Sequence, residues 1–252
     1  MRLTFLGTGA ADGIHAEFGD FSDRDMRRCS AALLDGHVLL DCGPHIMNAL
    51  ESAGVDPGAI TDVVLTHLHG DHFSPENVAK IAAAGERELH LWFREGGDVP
   101  AMEGCRLHPM PLFAACERDG YIFTGVPANH DPQTHPQHLF VEHEGKKLYY
   151  GTDGAWMLYE TVQYLQNKRC DAAVLDCTVG DYAGDYRMGE HNSIPMVRLM
   201  KASMLTLGII REDSGVYLTH MAMCLHKGHE ETAAACAGDG ITVAYDGLSV
   251  SL

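Results

Sequence analysis

Apolar and polar positions alternate in short runs that divide the chain into strands and helices. Leu3–Leu6 opens it as a strand and runs into a glycine turn at Gly7-Thr8-Gly9. Residues 10–29 are polar and irregular. Ser30–Leu34 and Val38–Asp41 predict two strands about a turn at Asp35-Gly36. Ile46–Ser52 predicts a helix stopped at Gly54, and Val63-Val64-Leu65 is a short apolar run suited to a buried strand. Ser74 as cap, Pro75 in the first turn and Gly85 at the end bracket the next helix.

The second half repeats the scheme. Leu89–Phe93 and Tyr121–Val126 read as strands, and Leu139–Tyr150 as a hairpin turning at Glu144-Gly145. Leu158, Val162 and Leu165 form a helix face, Ala172–Asp176 a buried strand, and Ile194 to Leu205 a longer helix ending near Gly208. Val216–Leu218 is a strand, residues 229–236 a final helix, and Ile241–Tyr245 and Leu248–Leu252 are strand-like. Two similar halves with hairpins mixed in do not alternate strictly enough for a barrel or a doubly wound sheet. An α/β sandwich of two mixed sheets with helices outside is expected, as one domain over residues 1–252.

Composition narrows the function. The 252 residues carry 35 acidic and 18 basic side chains, a formal charge of −17. A surface so acidic repels polyanions, and the densest basic stretch is only Arg24, Arg27 and Arg28. Long nucleic acid and anionic membrane are therefore not expected as partners. Eight cysteines include no C-x-x-C pair and several sit in apolar runs, as free thiols of a reducing compartment do. The start lacks a charged region followed by a long apolar one, and no run reaches the roughly 18 apolar residues of a membrane span. A cytoplasmic protein is the expectation. The 16 histidines are an unusual excess, and histidine is the commonest metal ligand.

The decisive stretch is Thr66-His67-Leu68-His69-Gly70-Asp71-His72, directly after the Val63–Leu65 strand. Alternation holds His67 and His69 on one side of the chain, where both reach one metal. The turn at Gly70 then presents Asp71 and His72 to a second. An accidental polar loop would account for one histidine but not for four ligand-type residues in six positions. Three more candidates follow strands: His130, Asp153 and His220. A dinuclear site closes with His67, His69 and His130 on one metal, Asp71, His72 and His220 on the other, and Asp153 between them. Asp176 also ends a strand and competes for that bridging place. Imidazole with carboxylate suits Zn²⁺, with Mn²⁺ or Fe²⁺ as alternatives.

This pattern resembles the metallo-β-lactamase superfamily, which implies the four-layer αβ/βα sandwich. Its chain order places the bridging carboxylate at Asp153. Leu6-Gly7-Thr8-Gly9-Ala10-Ala11, Cys29-Ser30 and Leu39-Leu40-Asp41-Cys42-Gly43 look like the branch of tRNase Z and the cyclic-phosphate phosphodiesterases. Val174-Leu175-Asp176-Cys177, Glu190-His191-Asn192 and Ala244-Tyr245-Asp246-Gly247 are similar to the phosphoribosyl cyclic phosphodiesterases within it. Residues 94–120 show no match. Residues 12–28 hold no cysteine where those enzymes place a structural zinc, so none is expected here.

The resemblance implies that His191 contacts phosphate and assists the leaving oxygen. Standing alone, it would read as a solvated loop histidine before a helix that starts at Asn192 or Ser193. The expected function is hydrolysis of a small or cyclic phosphodiester by water activated between two divalent metals, with Asp71 and His191 as catalytic residues. The partner is then a small molecule, and a homodimer is allowed. The rival readings are tRNA 3′-end processing, a carbon-ester or lactam hydrolase, and a metal-binding sensory module. Asp41 is expected to brace the metal loop. His15 and His45 are candidates for the cleft wall, His135, His138 and His143 for no metal role, and His226 and His229 for solvated positions.

Overall fold

In the computed structural model, residues 1–181 and 185–252 are described. Two seven-stranded sheets face each other. The first comprises β1 (Arg2–Gly7), β2 (Ala31–Leu34), β3 (Val38–Leu40), β4 (Asp62–Val64), β5 (Leu89–Arg94) and β6 (Cys105–Met110), with β14 (Ser249–Ser251) returning to its edge. The second comprises β7 (Ala115–Arg118), β8 (Tyr121–Pro127), β9 (Gln137–His143), β10 (Lys146–Gly151), β11 (Cys170–Asp176), β12 (Ile210–Thr219) and β13 (Thr242–Val243). Each sheet is antiparallel among its hairpin strands and parallel thereafter, through β3-β4-β5-β6 and β10-β11-β12-β13.

Helices cover both outer faces. Helices α1 (Ile46–Ser52) and α2 (Pro75–Ala84) pack on the first sheet, and α3 (Tyr159–Leu165), α4 (Ile194–Thr206) and α5 (His229–Cys236) on the second. Strand alternation produces three apolar layers. Leu148 and Tyr150 of β10 point between the sheets, where they meet Leu3, Phe5, Leu34, Leu40 and Val64. Tyr149 points outward to Leu165, Val197 and Met200 beneath the helices. On the other side Leu33, Leu39, Val63 and Leu91 pack against Ile46, Leu50, Val78 and Ile81. This is the expected four-layer sandwich.

The local signals hold. Ser74 Oγ accepts from Asn77 N and Ser193 Oγ from Met196 N, each helix carrying proline in its first turn. The hairpin turns at Asp35-Gly36 and Glu144-Gly145 have positive φ at both central residues, and in the two-residue loop between His143 and Lys146 this is the twist such hairpins require. Within residues 94–120, where the sequence pattern marks no element, the structure places β6 and β7. Both are half-exposed edge strands, and Pro109 lies in β6, so neither carries the continuous apolar run of a central strand. Strand β12 also begins earlier than Val216, across the polar Arg211–Ser214 stretch at its irregular register.

A candidate dinuclear metal centre

The His67–His72 loop leaves β4 and folds back on itself: Phe73 N donates to His69 O at 2.8 Å. The segment after β3 braces it from below. Cys42 N donates to His72 O at 2.8 Å and Ser74 N to Cys42 O at 2.8 Å. Gly43 is required there, because a Cβ would fall 1.9 Å from Asp71 O. Asp41 accepts from Thr66 N at 2.7 Å and lies 2.9 Å from His72 Nδ1. An ionised carboxylate only accepts, so His72 Nδ1 carries the proton and its Nε2 is left to face the site.

The other candidates arrive from sheet ends, as expected. His130 follows β8, Asp153 follows β10 and His220 follows β12. Asp41, Asp153 and His220 each adopt the left-handed backbone conformation, at φ +63°, +56° and +56°. Three such non-glycine residues at strand ends around one site mark backbone strain maintained where it turns side chains inward.

Asp153 is the hub. Its Oδ2 lies 3.1 Å from His67 Nε2, 3.3 Å from His72 Nε2 and 3.3 Å from His220 Nε2. His67, His69, His130 and Asp153 converge as one donor group, and Asp71, His72, His220 and Asp153 as a second. The donors fit metal ions. His69 Nδ1 stands 3.0 Å from both His67 Nε2 and His130 Nε2, and one ring nitrogen cannot bond well to both neighbours at once. His72 Nε2, His130 Nδ1, His220 Nε2 and Asp153 Oδ1 are buried without a hydrogen-bond partner. Buried, unpartnered ring nitrogens and a carboxylate oxygen gathered in this way are what a Zn²⁺-type ion would satisfy, once the rings give up any proton at the facing nitrogen.

Asp176 stands behind this group rather than within the bridge. Its Oδ2 is 3.2 Å from Nδ1 of both His191 and His220, and its Oδ1 accepts from Asn192 N at 2.7 Å. Thr178, which sequence spacing does not signal, joins the same array: its Oγ1 lies 2.8 Å from Asp176 Oδ2 and 2.8 Å from His220 Nδ1. His191 Nδ1 is also 3.1 Å from Asp153 Oδ1, so the residue sits beside the candidate ligands and not in solvent.

Charge follows burial and neighbours. Burial pushes His67 down and His130 down to about 4, which keeps both imidazoles neutral, the form a metal ligand needs. Burial also opposes charge on His191, but Asp176 and Asp153 outweigh it and raise the imidazole to about 11. His220 is raised to about 9 against burial, chiefly by Asp153. Asp153 itself is held well below the usual carboxylate range, burial being overcome by His220 and His67.

A cleft of about 220 Å³ lies over the two donor groups, and its wall includes Ala10, Asp12, Arg187, Glu190, Ala222 and Cys224. His15 and His45 do not line it; His15 is exposed, and His45 Nδ1 accepts from Cys29 N at 3.2 Å. The Ala10–Asp12 wall is anchored through the polar segment that follows it. Arg28 Nη1 pairs with Asp246 at 3.1 Å, and Arg27 donates to Thr8 and to Ala244 O, both arginines being buried. Two histidines depart from expectation. His229 is buried with Nδ1 3.2 Å from Arg27, and His226 Nε2 lies 2.6 Å from Cys177 O. Their sequence neighbourhood is polar; the Arg27 segment covers His229, and the Cys177–Gly180 stretch covers His226. His138 is buried with Nδ1 2.7 Å from the Tyr149 hydroxyl and joins neither dinuclear donor group.

Comparison with known proteins places this architecture. Residues 1–75 match the family described as Anti-Pycsar protein Apyc1. Ribonuclease Z of Methanothermobacter thermautotrophicus is 27% identical over 52% of this chain and 45% of its own, so the match spans less than half of that relative. A diphosphatase from the PhnP family superposes with a TM-score of 0.75 at 22% identity, covering 100% of this chain and 97% of that one. The metallo-beta-lactamase fold protein YhfI of Bacillus subtilis superposes with a TM-score of 0.74 at 14% identity, covering 99% and 98%. No helix among the described residues is long and apolar enough to cross a membrane. The chain is similar to ribonuclease Z in sequence and to a PhnP-family diphosphatase in structure, and its fold is the metallo-β-lactamase fold.

Proposed function

We propose that this chain is a metal-dependent hydrolase that uses two divalent ions, Zn²⁺ in first place, to cleave a small or cyclic phosphodiester. The observation that carries the reading is His191. It is flanked by Asp153 and Asp176 at 3.1 and 3.2 Å and opens onto the same cleft as the two donor groups. Bound divalent ions supply Lewis-acid charge to phosphoryl oxygens and acidify water for attack at neutral pH. The chain does the rest. His67, His69, His130, Asp71, His72 and His220 would hold the ions, with Asp153 within reach of both donor groups. Asp71 in addition orients the attacking water. His191, kept protonated by its two carboxylates, donates to the leaving oxygen as the ester bond breaks.

Charge supports a small substrate. Two divalent ions bring four positive charges to a centre whose shared and terminal carboxylates are Asp153 and Asp71, so a compact phosphate is attracted there. The surrounding chain, at −17, repels a long polyanion. The likeness to ribonuclease Z supports RNA 3′-end processing as a second reading. Elemental analysis with a substrate panel separates these: bis(p-nitrophenyl) phosphate, cyclic ribose phosphates, precursor tRNA at physiological salt and a lactone. Two bound ions per chain and turnover confined to the small diesters are expected. Cleavage of precursor tRNA replaces the first reading with the second, and turnover of the lactone alone overturns both.

A further inference from the structure

Asn192 directly follows His191 and is itself buried, at 2% exposure. It reaches toward both carboxylates that flank its neighbour. Its backbone N donates to Asp176 Oδ1 at 2.7 Å, and its side-chain Nδ2 donates to Gly154 O at 2.8 Å, one residue beyond Asp153. Its own carbonyl accepts from Val179 N at 3.0 Å, just past Asp176 and Thr178. One residue therefore joins three segments: the His191 loop, the end of β11 and the turn after β10.

The Asp153-Gly154 turn depends on such ties. Asp153 is left-handed at φ +56°, a conformation that a non-glycine residue keeps only where its surroundings impose it. A Cβ on Gly154 would fall 2.7 Å from His138 Nε2, and that ring is held at Nδ1, 2.7 Å from the Tyr149 hydroxyl. Ala155 N donates to Asn129 O at 3.0 Å, beside His130. Among the described residues, two polar contacts join this turn to the His191 loop: the Asn192 amide bond and the His191–Asp153 pair at 3.1 Å. The two differ in kind. The pair rests on charge, so its attraction falls once His191 gives up its proton. The amide bond is neutral on both sides and outlasts that transfer. A carbonyl oxygen only accepts, so Nδ2 faces Gly154, and Asn192 Oδ1 is left buried without a partner. An unpaired buried acceptor is costly, and stability alone does not call for one.

We infer that Asn192 is a positioning residue: its amide holds the His191 loop and the Asp153 turn at a fixed separation, so that His191 keeps its place over the candidate metal centre while it donates its proton. Asn192 acts through His191 and touches no reacting atom. The inference rests on the phosphodiester reading above, which makes His191 the proton donor.

The test is a double-mutant cycle on the metal-loaded full chain: Asn192→Ala, His191→Ala and both together. The substrates are adenosine 2′,3′-cyclic phosphate, whose leaving alkoxide needs a proton, and bis(p-nitrophenyl) phosphate, whose phenolate leaves as an anion. Asn192→Ala should lower kcat on the cyclic phosphate roughly 10- to 100-fold, the loss that a small misplacement of a catalytic group brings, with KM changed by less than about threefold. On bis(p-nitrophenyl) phosphate the loss should stay below about threefold, because no acid is required. In the His191→Ala chain, Asn192→Ala should cost nothing further. Asn192→Leu keeps the volume without the amide and should behave as Asn192→Ala does. Metal content and the denaturant midpoint are read on every variant. Losses that multiply in the cycle, or that are equal on both substrates, make Asn192 a residue of the fold and overturn the inference. Loss of the fold or of bound ions in both Asn192 variants does the same, as does a wild-type chain that cleaves bis(p-nitrophenyl) phosphate alone. Each of these leaves metal-dependent diester hydrolysis standing. If the wild-type chain hydrolyses no phosphodiester, or His191→Ala loses nothing, the proposed function or its proton donor fails, and the inference falls with it.

Discussion

Asp41 Oδ2 lies 2.9 Å from His72 Nδ1, and both side chains are fully buried. The carboxylate sets the tautomer and orientation of a ring whose Nε2 faces the candidate second metal position. Asp41→Asn keeps the shape but removes the charge. It should weaken metal binding about 10- to 100-fold, as loss of an outer partner of a histidine ligand typically does. Chelator competition monitored by metal content measures this, and an unchanged affinity would show that Asp41 serves the fold alone.

His69→Ala and Asp71→Ala separate the two donor groups. His69 is the partly exposed ligand, with its side chain 38% accessible, so its removal should leave the fold intact. Each variant should lower kcat/KM for bis(p-nitrophenyl) phosphate by about a thousandfold or more, given the several kcal/mol that metal charge supplies in such reactions. Circular dichroism and metal counts on the same samples distinguish a lost ion from a lost fold. Full activity in either variant removes that residue from the site.

Metal uptake should depend on pH through His220. In the metal-free protein its imidazole is raised to about 9, with Asp153 and Asp176 favouring the protonated ring against burial. A raised histidine contributes stability that is complete below its unfolded value near 6.5 and is lost as pH rises through about 9. A metal ion needs the neutral ring and must expel that proton. Apparent metal affinity should therefore rise between pH 6.5 and 9, with proton release on binding, and calorimetry in buffers of different ionisation enthalpy counts the protons. Absence of proton release would contradict ligation through His220.

The Arg28–Asp246 pair holds the segment that walls the cleft at Ala10–Asp12. Both side chains are almost fully buried at 2% and 1% exposure. Asp246 also accepts from Thr8 Oγ1 at 2.8 Å and from Arg28 N at 2.9 Å. Asp246→Ala leaves a buried guanidinium uncompensated and should cost about 3–5 kcal/mol. Denaturant unfolding measures the loss, and proteolysis between residues 12 and 28 should quicken if the segment is released. A cost near zero would mean that the aromatic contacts of Arg28 with Phe18 and Phe21 hold the segment instead.

Much of this was legible along the chain because it is local. Strand and helix periodicities, the Ser74-Pro75 cap and the H-x-H-x-D-H spacing are properties of neighbouring residues, and short-range sterics fix what such neighbours do. The sequence by itself thus determined the two-sheet architecture and the candidate ligands, each placed where a strand ends. It left the edge strands β6 and β7 unmarked, since exposed strands carry no apolar run. The residues' own pattern left Asp153 and Asp176 open, the resemblance favoured Asp153, and the tertiary structure shows how each is placed. Both end buried strands of the same sheet, and nothing in their local pattern distinguishes them. Only the facing of the two sheets puts Asp153 among His67, His72 and His220, and puts Asp176 behind His191 and His220. The burial of His229 by Arg27 and the pairing of Arg28 with Asp246 were equally out of reach of the sequence, because the partners lie some 200 residues apart and meet only when both sheets have closed.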